Sequence, residues 1–97
     1  MALRKKGSRV ITVDDIKYRW VVATDKKGLH FVAEYADEPG QRIVVAFHRE
    51  DQNGEATSVT PADVQSLIKI ALQKGWKPQK KAHQLHLGQG EKILERV

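Results

Sequence analysis

Residues 59–78 read V-T-P-A-D-V-Q-S-L-I-K-I-A-L-Q-K-G-W-K-P, and both ends of one helix are written in them. Thr60 is an N-cap residue, Pro61 occupies the first helical position where a missing N–H costs nothing, and Asp63 supplies a short form of the capping-box acid. Val59 and Val64 flank the start as a hydrophobic staple. Past the other end, Gly75 suits the left-handed residue of a helix stop, Trp76 can fold back onto Ile70 or Ala71, and Pro78 forbids continuation. The expected helix therefore covers residues 61–74. Val64, Leu67, Ile68, Ala71, Leu72 and Gly75 share one face, while Gln65, Ser66, Lys69 and Gln73 fall opposite. Each large aliphatic on that face contributes roughly 1.5–3 kcal/mol if fully buried, so the helix is built to lie on something.

What it lies on is read from the chain before it. R-V-I-T-V at 9–13 and I-K-Y-R-W-V-V-A-T at 16–24 are two strand patterns around Asp14-Asp15, a pair that tolerates the dihedrals of a tight turn. With those two residues as the loop, Val13 faces Ile16 and Ile11 faces Tyr18, so one face gathers Ile11, Val13, Ile16, Tyr18, Trp20 and Val22. A four-residue loop at D-K-K-G, 25–28, sets Val22 against Phe31, Trp20 against Ala33 and Tyr18 against Tyr35. A three-residue loop in D-E-P-G, 37–40, with Gly40 in a bulge, sets Ala33 against Ile43 and Phe31 against Val45. On the reverse face the same registers bring Arg19, Glu34 and Arg42 side by side. Asn53-Gly54 is a hairpin dipeptide, so a further strand is expected at 56–59. H-Q-L-H-L at 83–87 alternates as a short last strand, and residues 91–97 suit a terminal helical turn. The fold class is α+β, an antiparallel meander of four to five strands with one amphipathic helix on one face and a short C-terminal element.

With 97 residues the expectation is one domain, 9–97, preceded by a loose basic arm at 1–8. Cysteine is absent, which excludes disulfides and thiolate metal sites. No long apolar run appears, so no membrane segment is expected and the cytoplasm is the expected compartment. The net charge is +5, unevenly spread: residues 1–33 carry eight basic and three acidic side chains, 34–66 two and seven, and 67–97 seven and two. Either the basic ends neutralise the acidic middle across the fold, or they meet in a basic patch.

Catalytic signatures are missing. Asp51, Asn53 and Glu55 resemble a calcium loop, but the glycine comes fourth in place of sixth and no closing glutamate follows. His83 and His86 point to opposite faces if they share a strand, with no acidic ligand near them in sequence. Ser8, Ser58 and Ser66 lack a nucleophile context, His30 and His48 fall on the open sheet face with no evident partner, and Gly88 and Gly90 form no phosphate cradle. The reading is a non-enzymatic protein without cofactor, metal or small-molecule substrate. Tyr18, Trp20, Phe31, Tyr35 and Phe47 all take core positions, so the open face offers no stacking platform for single-stranded nucleic acid.

The strand Y-R-W-V-V at 18–22 after I-T-V, followed by T-P-A-D-V-Q-S-L-I-K-I-A-L-Q-K-G-W-K-P at 60–78, resembles a group of small uncharacterised bacterial proteins. In that group a Y-R-W strand precedes a T-P-capped helix ending in A-L-x-x-G-W-x-P. The shared motifs are a cap, a core and a helix stop, so the resemblance implies a bacterial origin and transfers no functional residue. Asp15 stands where that group commonly has a glycine.

Two functions remain in view. The first is a protein-interaction module, docking an unidentified protein or a second copy through Lys17, Arg19, Val21, His30, Val32, Glu34, Arg42 and Val44 on the open face, where apolar residues stand beside a charged triad. Cover of that face by the C-terminal segment, through Leu85, Leu87, Ile93 and Leu94, is its structural rival. The alternative function is duplex nucleic-acid binding through Arg4, Lys5, Lys6, Arg9, Lys80 and Lys81.

Overall fold

The computed structural model describes residues 7–26, 28–50 and 54–94. Four strands, β1 (Arg9–Val13), β2 (Ile16–Asp25), β3 (Gly28–Tyr35) and β4 (Ile43–Phe47), form an antiparallel meander. Helix α1 (Pro61–Gln73) then crosses one face, and β5 (Leu85–Gln89) joins the free side of β4 before the short helix α2 (Gly90–Ile93). The architecture is α+β, as the alternation and the helix pattern imply.

The turns set the registers. Asp14 and Asp15 both hold left-handed backbone, φ 51° and 67°, which matches the twist of a two-residue hairpin. Val13 pairs with Ile16 and Ile11 with Tyr18. Downstream, Trp20 pairs with Ala33, Val22 with Phe31, Ala33 with Ile43 and Phe31 with Val45, all as the alternation requires. The loops that produce these registers differ from expectation. Asp25 pairs with Gly28, so that loop has two residues in place of four. The next connection spans 36–42, and Gly40 forms no bulge there. Gly40 is needed for close approach: a Cβ on it would lie 2.5 Å from the Pro78 carbonyl oxygen and 2.6 Å from that of Lys80. The registers themselves are unchanged, because the first hairpin only pairs one step further along the same register and the second keeps Ala33 opposite Ile43.

The second half carries two corrections. Residues 56–59 are not a strand; Ala56 makes one isolated bridge to Glu50, and Val59 then turns toward the core to flank the helix start. The fifth strand is β5, and it runs parallel to β4. A chain that leaves β4, traverses one face as a helix and re-enters the sheet arrives pointing the same way, so the meander ends at its fourth strand. A bulge at Leu87 on β5, which is left unpaired opposite the Val44–Val45 step of β4, adjusts this last pairing.

Thr60 and Asp63 close a reciprocal capping box, with Asp63 N donating to Thr60 Oγ1 at 3.2 Å and Thr60 N donating to Asp63 Oδ2 at 3.0 Å. The helix stop is equally complete. Gly75 has φ 102°, its N–H reaches the Leu72 carbonyl at 3.2 Å, and the Trp76 N–H reaches the Ala71 carbonyl at 2.9 Å, a Schellman pair. Val64, Leu67, Ile68 and Ala71 are fully buried on the sheet, whereas Leu72 is 36% exposed and Gly75 lies at the surface. The buried stripe is therefore narrower than the periodicity proposes: Ala71 in the last turn is buried, and Leu72 beside it lies at the edge of the stripe. Ile11, Ile16, Leu85, Leu87, Ile93 and Leu94 pad the margins of the core.

Gly75→Ala meets no atom within 4 Å, so its cost is conformational, about 1 kcal/mol, against almost nothing for Gln73→Ala. Gly40→Ala forces two backbone segments apart and should cost more than either. Urea midpoints of the three variants check this order, and equality of Gly75→Ala with Gln73→Ala would contradict the helix stop described. A second expectation concerns alkali. Burial raises the Tyr18 phenol above its ordinary 10.0, and Asp14 and Tyr35 add to the rise. The folded state therefore favours the protonated phenol: this stability is complete below about pH 10 and is lost as pH climbs through the raised folded value. Melting temperatures should fall more steeply above about pH 10 in the wild type than in Tyr18→Phe.

Candidate functional site

β2, β3 and β4 each send alternate side chains away from α1, and the pairings arrange these in rows across the strands. One row holds Val10, Arg19 and Glu34, with Arg42 just before β4. The next holds Val21, Val32, Val44 and His86. A third holds Ala23, His30, Ala46 and Gln89. Lys17 lies at the margin beyond the first row, opposite Thr12, and is exposed.

Glu34 is the buried charge of the molecule's described residues, at 1% exposure. Its Oε1 accepts from Arg42 Nε at 2.9 Å, and Arg19, its register neighbour on the other side, donates from Nη1 to Ser8 Oγ at 3.3 Å. Cations on both neighbouring strands make a buried carboxylate tolerable, since an ionised group removed from water without a partner costs several kcal/mol. The charged row is thus a rigid, half-dry feature beside the valines. Removing Arg42 leaves Glu34 buried without this partner, so Arg42→Ala should cost on the order of 1–3 kcal/mol. Glu34→Leu combined with Arg42→Ala should recover most of that loss in urea titrations; a double variant as unstable as the single would mean that something else pins Glu34.

The rival cover of this face is not what the described C-terminal residues do. Leu85, Leu87, Ile93 and Leu94 pack against the core on the helix side, and Gly90 rests on the Phe47 ring. They are sent there because Leu85 pairs with Ile43, a core-face residue. Among the described residues no helix or strand lies over Val21, Val32 and Val44, each of which is half-buried.

The histidines are dispersed. His48 has the partner that the sequence did not reveal: Glu91, at the start of α2, accepts from its backbone N–H at 3.0 Å and lies 3.1 Å from its Nδ1. Its Nε2 is 3.1 Å from the Gln89 amide. This contact ties α2 to the end of β4 and spans 43 positions, so no local pattern announces it. His86 meets Gln84, and the His83 carbonyl accepts from Gln41. Among the described residues no group of three metal-binding side chains assembles. A cleft of about 330 Å³ opens beside β2 where β1 begins, lined by Gly7, Arg9, Trp20, Val21, Leu29 and Val59 among others, with the Arg9 guanidinium 6.0 Å from the Trp20 ring centroid. It holds no paired acid and base.

Of the nucleic-acid alternative's residues, the described ones, Arg9, Lys80 and Lys81, stand apart. Arg9 stands on β1, whereas Lys80 and Lys81 follow the segment bound to Gln41 beside β4, with β2 and β3 between. Arg4, Lys5 and Lys6 lie outside the described residues, as do Asp51 and Asn53. No described helix is long and apolar enough to cross a membrane. Comparison with protein families, curated proteins and solved structures finds no match to this chain.

Proposed function

We propose that the protein is a non-enzymatic interaction module whose open sheet face docks a second copy of itself. The observation that carries this is the row Val21, Val32 and Val44, apolar, central and uncovered by any described element, with a bulky charged row on one side and an alanine row on the other. A two-fold axis along the valine row stacks valine on valine. It also sets Arg19 and Arg42 of each copy over Ala23 and Ala46 of the other, large side chains against small ones, and the Glu34 carboxylate toward His30, with no arginine facing an arginine.

Strand spacing makes the patch about 15–20 Å across, on the order of 300 Å² per copy. A standard interface uses roughly 800 Å² per partner, so the association is a weak one and shows itself only at high concentration. Sedimentation from about 10 μM to 1 mM, the range of weak complexes, should show a reversible monomer–dimer equilibrium for the wild type. Val32→Glu, with a charge at the centre, should remain monomeric throughout with its melting temperature little changed. Ala46→Arg should do the same by crowding the alanine row. A wild type that stays monomeric at the highest concentration, or variants that dimerise as well as it does, would sink the proposal.

A further inference from the structure

Between Asp63 and Glu91 the sequence contains no acidic residue, and the stretch from Lys74 to Lys81 is half lysine. A connector of this composition would ordinarily be a solvated, loosely held loop. Here it is anchored along its length. The Trp76 indole N–H donates to the Gln41 carbonyl at 2.8 Å, and the Lys77 N–H donates to Gln41 Oε1 at 3.0 Å. The Pro78 carbonyl accepts from Gly40 N at 3.0 Å, the Lys80 carbonyl from Gln41 N at 2.7 Å, and the His83 carbonyl from Gln41 Nε2 at 2.9 Å. Gln41 thus uses both backbone and side chain to hold the loop, and glycine at 40 lets the two backbones touch.

The anchoring consumes the backbone and the inward residues Trp76 and Pro78, both buried. It leaves Lys74, Lys77, Lys80 and Lys81 exposed, and among the described residues none of these four ammonium groups is ion-paired. Cations carried on an anchored backbone lose less freedom on meeting a polyanion than cations on a flexible tail would. The neighbouring surface offers no exposed aromatic ring on which a single-stranded base could stack, which favours a partner recognised by its backbone charge.

We infer that this lysine loop is a contact surface for the phosphate backbone of a nucleic-acid duplex, on a part of the molecule separate from the open sheet face. It differs from the basic patch expected of the two chain ends in that Arg9, on the edge strand β1, does not belong to it.

The test is fluorescence anisotropy of a labelled duplex of about 20 base pairs, recorded from about 50 to 200 mM salt, where backbone contacts weaken steeply. If all four lysines neutralise phosphates, affinity should fall roughly 100-fold over that range, following a slope near −0.9 for each phosphate. The triple variant Lys77→Gln, Lys80→Gln, Lys81→Gln should bind more weakly and keep only a few-fold salt dependence. Its melting temperature should be unchanged, because the anchoring bonds use backbone atoms. A control triple of equal charge, Lys17→Gln, Lys26→Gln, Lys69→Gln, should retain most of the affinity. No binding at the lowest salt, or equal losses in the two triples, would overturn the inference. So would equal competition by polyglutamate, which would point to an acidic polypeptide as the partner.

Discussion

The seat of Trp76 is the contact on which the remainder of the molecule depends. Its backbone N–H closes the helix on Ala71, its ring lies 5.4 Å from that of Tyr18 on β2, and its indole N–H reaches the Gln41 carbonyl between β3 and β4. One side chain therefore joins helix, meander and connecting loop at a single buried point, at 3% exposure. An indole suits the position because it combines a large apolar area with one donor that must be satisfied when buried. From this seat the chain leaves at a fixed place and angle, which delivers Leu85 N–H to the Arg42 carbonyl at 2.7 Å and starts β5 in register.

Legibility in the sequence followed the range of the interaction. The helix and its ends were legible because caps and stops act within a few residues: Thr60 with Asp63, Gly75 with Leu72. The meander registers were legible because a side-chain period of two leaves only one parity that keeps Tyr18, Trp20, Phe31 and Val45 together. Loop lengths were not legible, since several loops share a parity, and the role of Gly40 depends on a segment about forty positions away. The parallel pairing of β5 was hidden for the same reason: alternation at 83–87 says that a strand exists and nothing about its neighbour.

The candidate face was half legible. Arg19, Glu34 and Arg42 were brought together by register, and the structure places them so. The near-complete burial of Glu34 could not be read, because burial depends on how neighbouring side chains lie over a residue. Gln41 carried no signal at all; a glutamine in a loop becomes a hub only when another loop arrives beside it.

β5 pairs with a strand some forty residues earlier, whereas each hairpin of the meander joins near neighbours in the chain. Closing so long a loop has an entropic cost that the five residues of β5 do not meet alone, so the strand's attachment is tied to the docking of α1. The two form one cooperative unit that opens and closes together. His86 and Gln89 belong to that unit, so the width of the open face is governed from the opposite side of the sheet. When the helix lifts, the face narrows by a strand, and any occupant that touches β5 adds its own binding energy to the grip of the helix behind it.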